Sequence, residues 1–160
     1  MNYLLSLRAS VLAETSIAEV VNAKLGWNPH GTSRAPEACM TKEELQERSL
    51  AFAATVRRFG QGVMAAPTLR RTGEQLINCS ASMAANYRAA CRARSRAEFV
   101  SKLGTVVEES DEAVYWLEYI ARTGMMFNGL GDLLDEAHEL RAIFAASYGT
   151  ARANYKKRQR

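Results

Sequence analysis

All three prolines, Pro29, Pro36 and Pro67, fall in the first 67 residues, and none occurs from Thr68 to Arg160. A proline inside a helix removes a backbone donor and clashes with the preceding turn, so its absence leaves more than half of the chain free to be helical. Alanine is abundant there and Val and Ile are scarce, which again favours helix because alanine loses no side-chain entropy on ordering. Glycines punctuate the chain at Gly60/Gly62 and at Gly124, Gly129 and Gly131, where helix ends are expected.

Between those marks the apolar residues recur at alternating spacings of four and three, one stripe of an amphipathic helix. Thr41-Lys42-Glu43-Glu44 fits a capping box and opens the first stripe, Leu45, Ser49, Phe52, Val56 and Phe59, which Gly60 should end. The second helix is expected from about Pro67 to Ala93, with Leu69, Gly73, Leu76, Ser80, Met83, Tyr87 and Ala90 facing inward. Gly73 and Ser80 are small enough to let a neighbouring helix approach closely. Ser95-Arg96-Ala97-Glu98 reads as a second capping box ahead of Phe99, Leu103, Val106/Val107, Ser110, Val114, Leu117 and Ile120/Ala121. A fourth helix is expected from about Gly131 to Asn154, with Leu133/Leu134, Ala137, Leu140, Ile143/Phe144, Ser147 and Tyr148 inward. The fold class that follows is all-α, an antiparallel up-and-down four-helix bundle over residues 40–160.

Residues 1–39 read as a separate N-terminal extension and linker. Positions 3–25 have a loose helical pattern without a sharp apolar face, and Gly26 to Cys39 holds two prolines and two glycines. Met40 is a candidate native start. The chain of 160 residues suffices for one domain with a core. It has no apolar run long enough to span a membrane and no basic n-region of a secretory signal, so a cytoplasmic protein with no membrane partner is expected.

The chemistry of catalysis has little material. Cys39, Cys79 and Cys91 form no paired spacing, which suits a reducing compartment, and Cys79 and Cys91 have no histidine in their segment. Asp135-x-x-His138 is a single near-match to the Glu-x-x-His pairs of di-metal bundles, and His30 lies in the linker. Glu108, Glu109, Asp111 and Glu112 are nearly consecutive and therefore spread around a helix. Gly129-Leu130-Gly131 lacks the remaining elements of a phosphate loop. No metal, no cofactor and no enzyme activity is the expectation.

Charge is the more informative signal. The net charge is +4, and the C-terminal cluster Arg152, Lys156, Lys157, Arg158 and Arg160 alone exceeds it, leaving the rest of the chain near neutral. A second basic cluster, Arg88, Arg92, Arg94 and Arg96, surrounds the junction of the second and third helices. Both are candidate contacts to the phosphates of RNA or DNA. Both also suit an ordinary reading, a solubilising tail and cations near helix C-termini. Tyr155 is the only aromatic residue near the tail, which leaves little for base stacking. Asn86, within a helix and flanked by Ala84, Ala85 and Tyr87, is expected to hydrogen-bond across helices and fix register.

The segment from Gln75 to Phe99, with Lys102-Leu103-Gly104, Glu108-Glu109-Ser110-Asp111-Glu112 and Tyr115-Trp116-Leu117-Glu118, resembles the bacterial four helix bundle protein family, also called the 23S ribosomal RNA intervening-sequence protein family. The motif parts are Ala85-Asn86-Tyr87, Ser95-Arg96-x-x-Phe99 and Tyr115-Trp116-Leu117-Glu118, with Asn86, Tyr87, Ser95, Phe99 and Trp116 as structural positions. The resemblance is close over about 68–121 and leaves 1–39 uncovered. Asn78 departs from the arginine that many relatives carry. The resemblance implies an up-and-down bundle, often a ring-like homopentamer, without enzymatic activity. Some members are encoded within intervening sequences of ribosomal RNA genes. A related branch, the accessory variability determinant of diversity-generating retroelements, binds nucleic acid and a reverse transcriptase. Two functions stay open: an oligomeric assembly or adaptor protein that binds nucleic acid, and a docking module for a protein partner, suggested by Tyr115, Trp116 and Tyr119.

Overall fold

A computed structural model describes residues 40–159; the expectations for residues 1–39, His30 and Cys39 among them, and for Arg160 lie outside those residues. Four helices follow in chain order: α1 (Lys42–Met64), α2 (Arg70–Ala90), α3 (Arg96–Arg122) and α4 (Leu130–Lys157). Successive helices pack side by side as an antiparallel up-and-down bundle, with α1 and α4 touching more sparsely than the other neighbours.

The start of α1 follows the sequence signal closely. The Thr41 hydroxyl accepts from the Glu44 amide at 3.1 Å, and the Glu44 carboxylate accepts from the Thr41 amide at 2.7 Å. Two orphan donors are satisfied at once, and these bonds hold the Glu44 carboxyl below its usual value. At α3 the exchange is displaced. The Ser95 hydroxyl accepts from the Glu98 amide, but the Glu98 carboxylate accepts from the Arg94 amide at 3.0 Å, not from Ser95. The expected second box is therefore a hydroxyl cap with its acidic arm one residue further back.

The end of α1 differs from expectation. Gly60 does not end it; the helix continues to Met64. Gly60 lies where α1 crosses α2. A Cβ built on it would stand 2.7 Å from Ile77 Cγ1, and one on Gly73 would stand 2.9 Å from the Gly60 carbonyl oxygen and 2.6 Å from Met64 Cγ. The glycine serves close approach inside a helix and so carries no stop signal. Pro67 opens a 3-10 turn, Pro67–Leu69, before α2 begins at Arg70, and α2 ends at Ala90, short of Ala93. Gly124 and Gly129 do act as punctuation, with φ of 74° and 81° that favour glycine. Gly129 is the N-cap of α4, and that helix runs three residues beyond Asn154 to Lys157.

The four stripes meet in one core. Phe144, Leu76, Met83, Leu103, Leu117, Ile120 and Leu140 are fully buried in it; each side chain of this kind contributes about 1.5–3 kcal/mol by leaving water. Each helix also buries one serine, Ser49, Ser80, Ser110 and Ser147. Each hydroxyl donates to a carbonyl one turn back in its own helix, at 2.8–2.9 Å. The small side chain permits close packing and the internal bond removes the cost of burying a hydroxyl. Among the described residues no buried side-chain nitrogen or oxygen lacks a partner.

Candidate nucleic-acid interface

Two contacts set the register of α3 against α4. Arg141 pairs with Asp111 at 2.9 Å, and the Tyr148 ring lies 3.5 Å from a Cβ built on Gly104. Continued along antiparallel axes, this register brings the turns holding Arg152, Lys156 and Lys157 beside the first turns of α3. The chain reversal from α2 to α3, with Arg88, Arg92, Arg94 and Arg96, occupies the same end. Two clusters separated by more than fifty positions in the chain thus share one end of the bundle.

Their side chains are differently held. Arg88, Arg92, Arg94, Arg152, Lys156, Lys157 and Arg158 are exposed, and Arg96 is half-buried. Arg94 pairs loosely with Glu98 at 3.5 Å. The Arg152 guanidinium sits 6.0 Å from the Tyr148 ring centroid, one turn earlier on α4, a contact that orients it along the helix. Lys156 and Lys157 lie in the last turn of α4, where the negative end of the helix dipole favours them. Arg94 Nε and the Arg94 amide both approach the same Glu98 carboxylate oxygen, which holds that carboxyl below its usual value.

Asn86 lies on the seam between α2 and α3. Its Nδ2 donates to the Ser82 carbonyl at 3.0 Å and to the Ser82 hydroxyl at 3.2 Å, while Lys102 Nζ donates to its Oδ1 at 3.2 Å. Ser82 in turn donates to Glu109 at 2.7 Å. Lys102 enters the sequence reading only through the family resemblance, and the seam gives it a partner. Tyr87 is buried with its ring 5.0 Å from that of Phe144, and burial pushes its phenol well above the usual value. Phe99 is buried and Ser95 caps α3. Trp116 is half-buried, with Nε1 donating to Glu112 at 2.9 Å. Its neighbours Tyr115 and Tyr119 stand 54% and 44% exposed, their rings stacked at 6.5 Å.

The remaining candidates have local partners. Cys79 is buried and donates to the Leu76 carbonyl, and burial pushes its thiol up to about 12, with Glu112 and Glu109 adding to the effect. It is a protonated, packed side chain near neutral pH. His138 Nε2 lies 3.8 Å from Glu118, and Asp135 is exposed. Among the described residues no group of three or more His, Cys, Asp or Glu side chains is placed to hold a metal. No helix among them is long and apolar enough to cross a membrane.

Two surface features escaped sequence reasoning. Arg48 on α1 reaches across to α4, donating to Glu136 at 2.7 and 2.6 Å and to Glu139. This bridge ties the sparsely packed seam, and the two carboxylates raise the guanidinium further above its usual value. The second is an open groove of about 630 Å³ along α1 and α2, walled by Glu43 and Glu47 on one side and by Arg88 and Arg92 on the other. Its floor is alanine, and Leu50 stands at its edge 53% exposed. The one available signal was Leu50 itself, an apolar residue off the α1 stripe.

No family model matches the chain, and no curated protein matches it. Among solved structures, a Bacteroides thetaiotaomicron protein of unknown function from the S23 ribosomal protein family is similar, with a TM-score of 0.61 and 24% identity, over 68% of this chain and 97% of that one. At that identity the likeness shows the fold, a four-helix bundle.

Proposed function

We propose that this chain is a non-catalytic, oligomeric assembly or adaptor protein of the cytoplasm that binds nucleic-acid phosphates through one basic end of its bundle. The observation that carries the reading is the convergence of the α2–α3 reversal and the α4 C-terminus. Arg94, Arg96, Arg152, Lys156, Lys157 and Arg158 share that end, with Arg88 and Arg92 beside them. Long cationic side chains gathered on one surface release counterions when they meet phosphates, a gain that is independent of base sequence. Support also comes from the sequence resemblance to the intervening-sequence family and from the S23 ribosomal protein family description of the similar fold. The same resemblance nominates a reverse transcriptase as partner where the chain belongs to a retroelement.

The test is titration of the full chain with RNA and with duplex DNA across a salt series. On duplex DNA, log K should fall with log salt at about −0.9 per phosphate neutralised. Replacing Lys156, Lys157 and Arg158 by glutamine should weaken binding to all sequences alike and flatten that slope. Absence of binding at low salt would overturn the nucleic-acid reading. A second reading, docking of a protein partner, rests on exposed Tyr115 and Tyr119, because exposed aromatic pairs are frequent interface anchors. Retention of nucleic-acid binding in a Tyr115→Ser, Tyr119→Ser variant would separate the two.

A further inference from the structure

We propose that the outer face of the α1–α2 crossing is a second phosphate-binding surface, built from two arginine pairs, and that this chain bridges two segments of nucleic acid. The proposal rests on the nucleic-acid reading above and adds to it a face remote from the basic end.

The chain repeats one short pattern, Arg57-Arg58-Phe59-Gly60 on α1 and Arg70-Arg71-Thr72-Gly73 on α2. The two glycines meet where the helices cross. A Cβ on Gly60 would stand 3.4 Å from the Gly73 carbonyl oxygen, and one on Gly73 would stand 2.9 Å from that of Gly60. Antiparallel helices that touch through equivalent positions are related by a local two-fold axis normal to the pair. That axis carries each arginine pair onto the other. Arg57 lies three residues, about 4.5 Å, to one side of the crossing, and Arg70 lies the same distance to the other. All four arginines are exposed, so one outward face displays them around the crossing.

These cations do little for the fold. Between Leu50 and Gln75 they are opposed by Glu74 alone, which lies 3.5 Å from Arg70 Nε with both side chains open to water. Arg58 donates to the Thr55 hydroxyl at 3.0 Å. Arg57 and Arg71 take part in none of the ion pairs found among the described residues. Arg70 and Arg71 are also the first two residues of α2, whose first turn holds no acidic residue and whose N-cap makes no side-chain bond. Cations are unfavourable there, because the positive end of the helix dipole repels them. A phosphate seated between the pairs relieves that repulsion, and the planar guanidinium fork suits its oxygens.

The face is separate from the basic end. Counted from Lys42 to Gly60, the crossing lies about 27 Å along α1 from its start. The surface between, with Leu50, Ala53, Ala81 and the acidic Glu47, gives a phosphate backbone nothing to hold. A segment held at one face therefore leaves the other open to a second segment.

The experiment compares the full chain with two variants. In one, Arg57, Arg58, Arg70 and Arg71 are all glutamine; in the other, Lys156, Lys157 and Arg158 are. Duplex DNA fixed to beads is loaded with each protein and offered a second, labelled duplex. The parent should capture the second duplex, and each variant should capture at least about tenfold less while still binding the first. In titrations, the arginine variant should flatten the salt slope by about 0.9 for each arginine engaged. Its melting temperature should be unchanged or higher, since two cations leave the positive end of α2. A parent that captures no second duplex, an arginine variant that captures as much as the parent, or a fall in its melting temperature by several degrees would overturn the proposal. An arginine variant equal to the parent beside a weakened tail variant leaves the basic-end reading standing. A tail variant that binds like the parent beside a weakened arginine variant defeats that reading and keeps this face.

Discussion

The two ends of the bundle are built on different principles. At one end α1 and α2 cross through Gly60 and Gly73, and added side-chain atoms would meet Ile77 at the first and Met64 and the Gly60 carbonyl at the second. Phe59 of α1 and Phe127, from the turn before α4, stack edge to face there at 5.9 Å. Shape complementarity decides that end. At the other end the helices are capped by polar side chains, Thr41 and Ser95, and ringed by exposed cations. Exposed charge beside polar-capped helix ends distinguishes that end. The difference is one of construction along one set of helices, with a close-packed end that admits few side-chain atoms between its helices and an end where charged side chains stand in solvent.

This contrast breaks first at Gly73. Gly73→Leu should destabilise the chain by about 3 kcal/mol, because the Gly60 carbonyl is backbone and cannot retreat. Urea titration checks it, and an unchanged midpoint would refute the close crossing. Gly60→Ala should cost less, about 1 kcal/mol or below. The closest atoms it meets are Cγ1 and Cδ1 of Ile77, at 2.7 and 2.9 Å, a side chain that can shift where backbone cannot, and alanine returns about 1 kcal/mol of helix propensity. A cost at Gly60 above that at Gly73 would reverse the assignment of which helix yields.

At the charged end, Ser95→Ala should cost about 1 kcal/mol through the lost N-cap bond. Replacing Lys156, Lys157 and Arg158 by glutamine should shift stability by less than about 0.5 kcal/mol, while changing the salt dependence of any nucleic-acid binding. A large loss of stability would mean that those cations hold the fold. The smallest effect is in acid. Glu44 and Glu98 have carboxyls lowered from 4.5 by their capping bonds. Depressed values of that kind give stability above the unfolded pKa and lose it as pH falls through the folded one. Glu98→Gln should therefore flatten the decline of stability below about pH 4.5, seen by thermal melts across the acid range.

Much of the fold is legible in the chain because a 3.6-residue period records which face of each helix meets the core. Leu45, Leu76, Leu103 and Leu140 each sit on the stripe expected of them and are buried. Helix ends were less legible. Gly60 looked like a stop because glycine serves equally as a terminator and as a place for close approach, and only the neighbouring helix distinguishes the two. The second capping box failed for a similar reason, since a glutamate three residues after the cap can reach either of two adjacent amides. The candidate interface was half visible. Each basic cluster stood out by composition and the up-and-down helix order puts both at one end, but that Arg96 is half-buried while the other cations stand exposed came only from the packed structure.

The sequence by itself therefore determined the class of structure, the inward faces and the Thr41 and Ser95 caps, since these depend on residues within a few positions of one another. Only the tertiary structure decided that Gly60 is what Gly73 meets, the Arg48 bridge to Glu136 and Glu139, and the alanine-floored groove. Each of those depends on how antiparallel helices are set against one another in height and rotation. That setting is a property of the packed whole, which no local pattern of residues records.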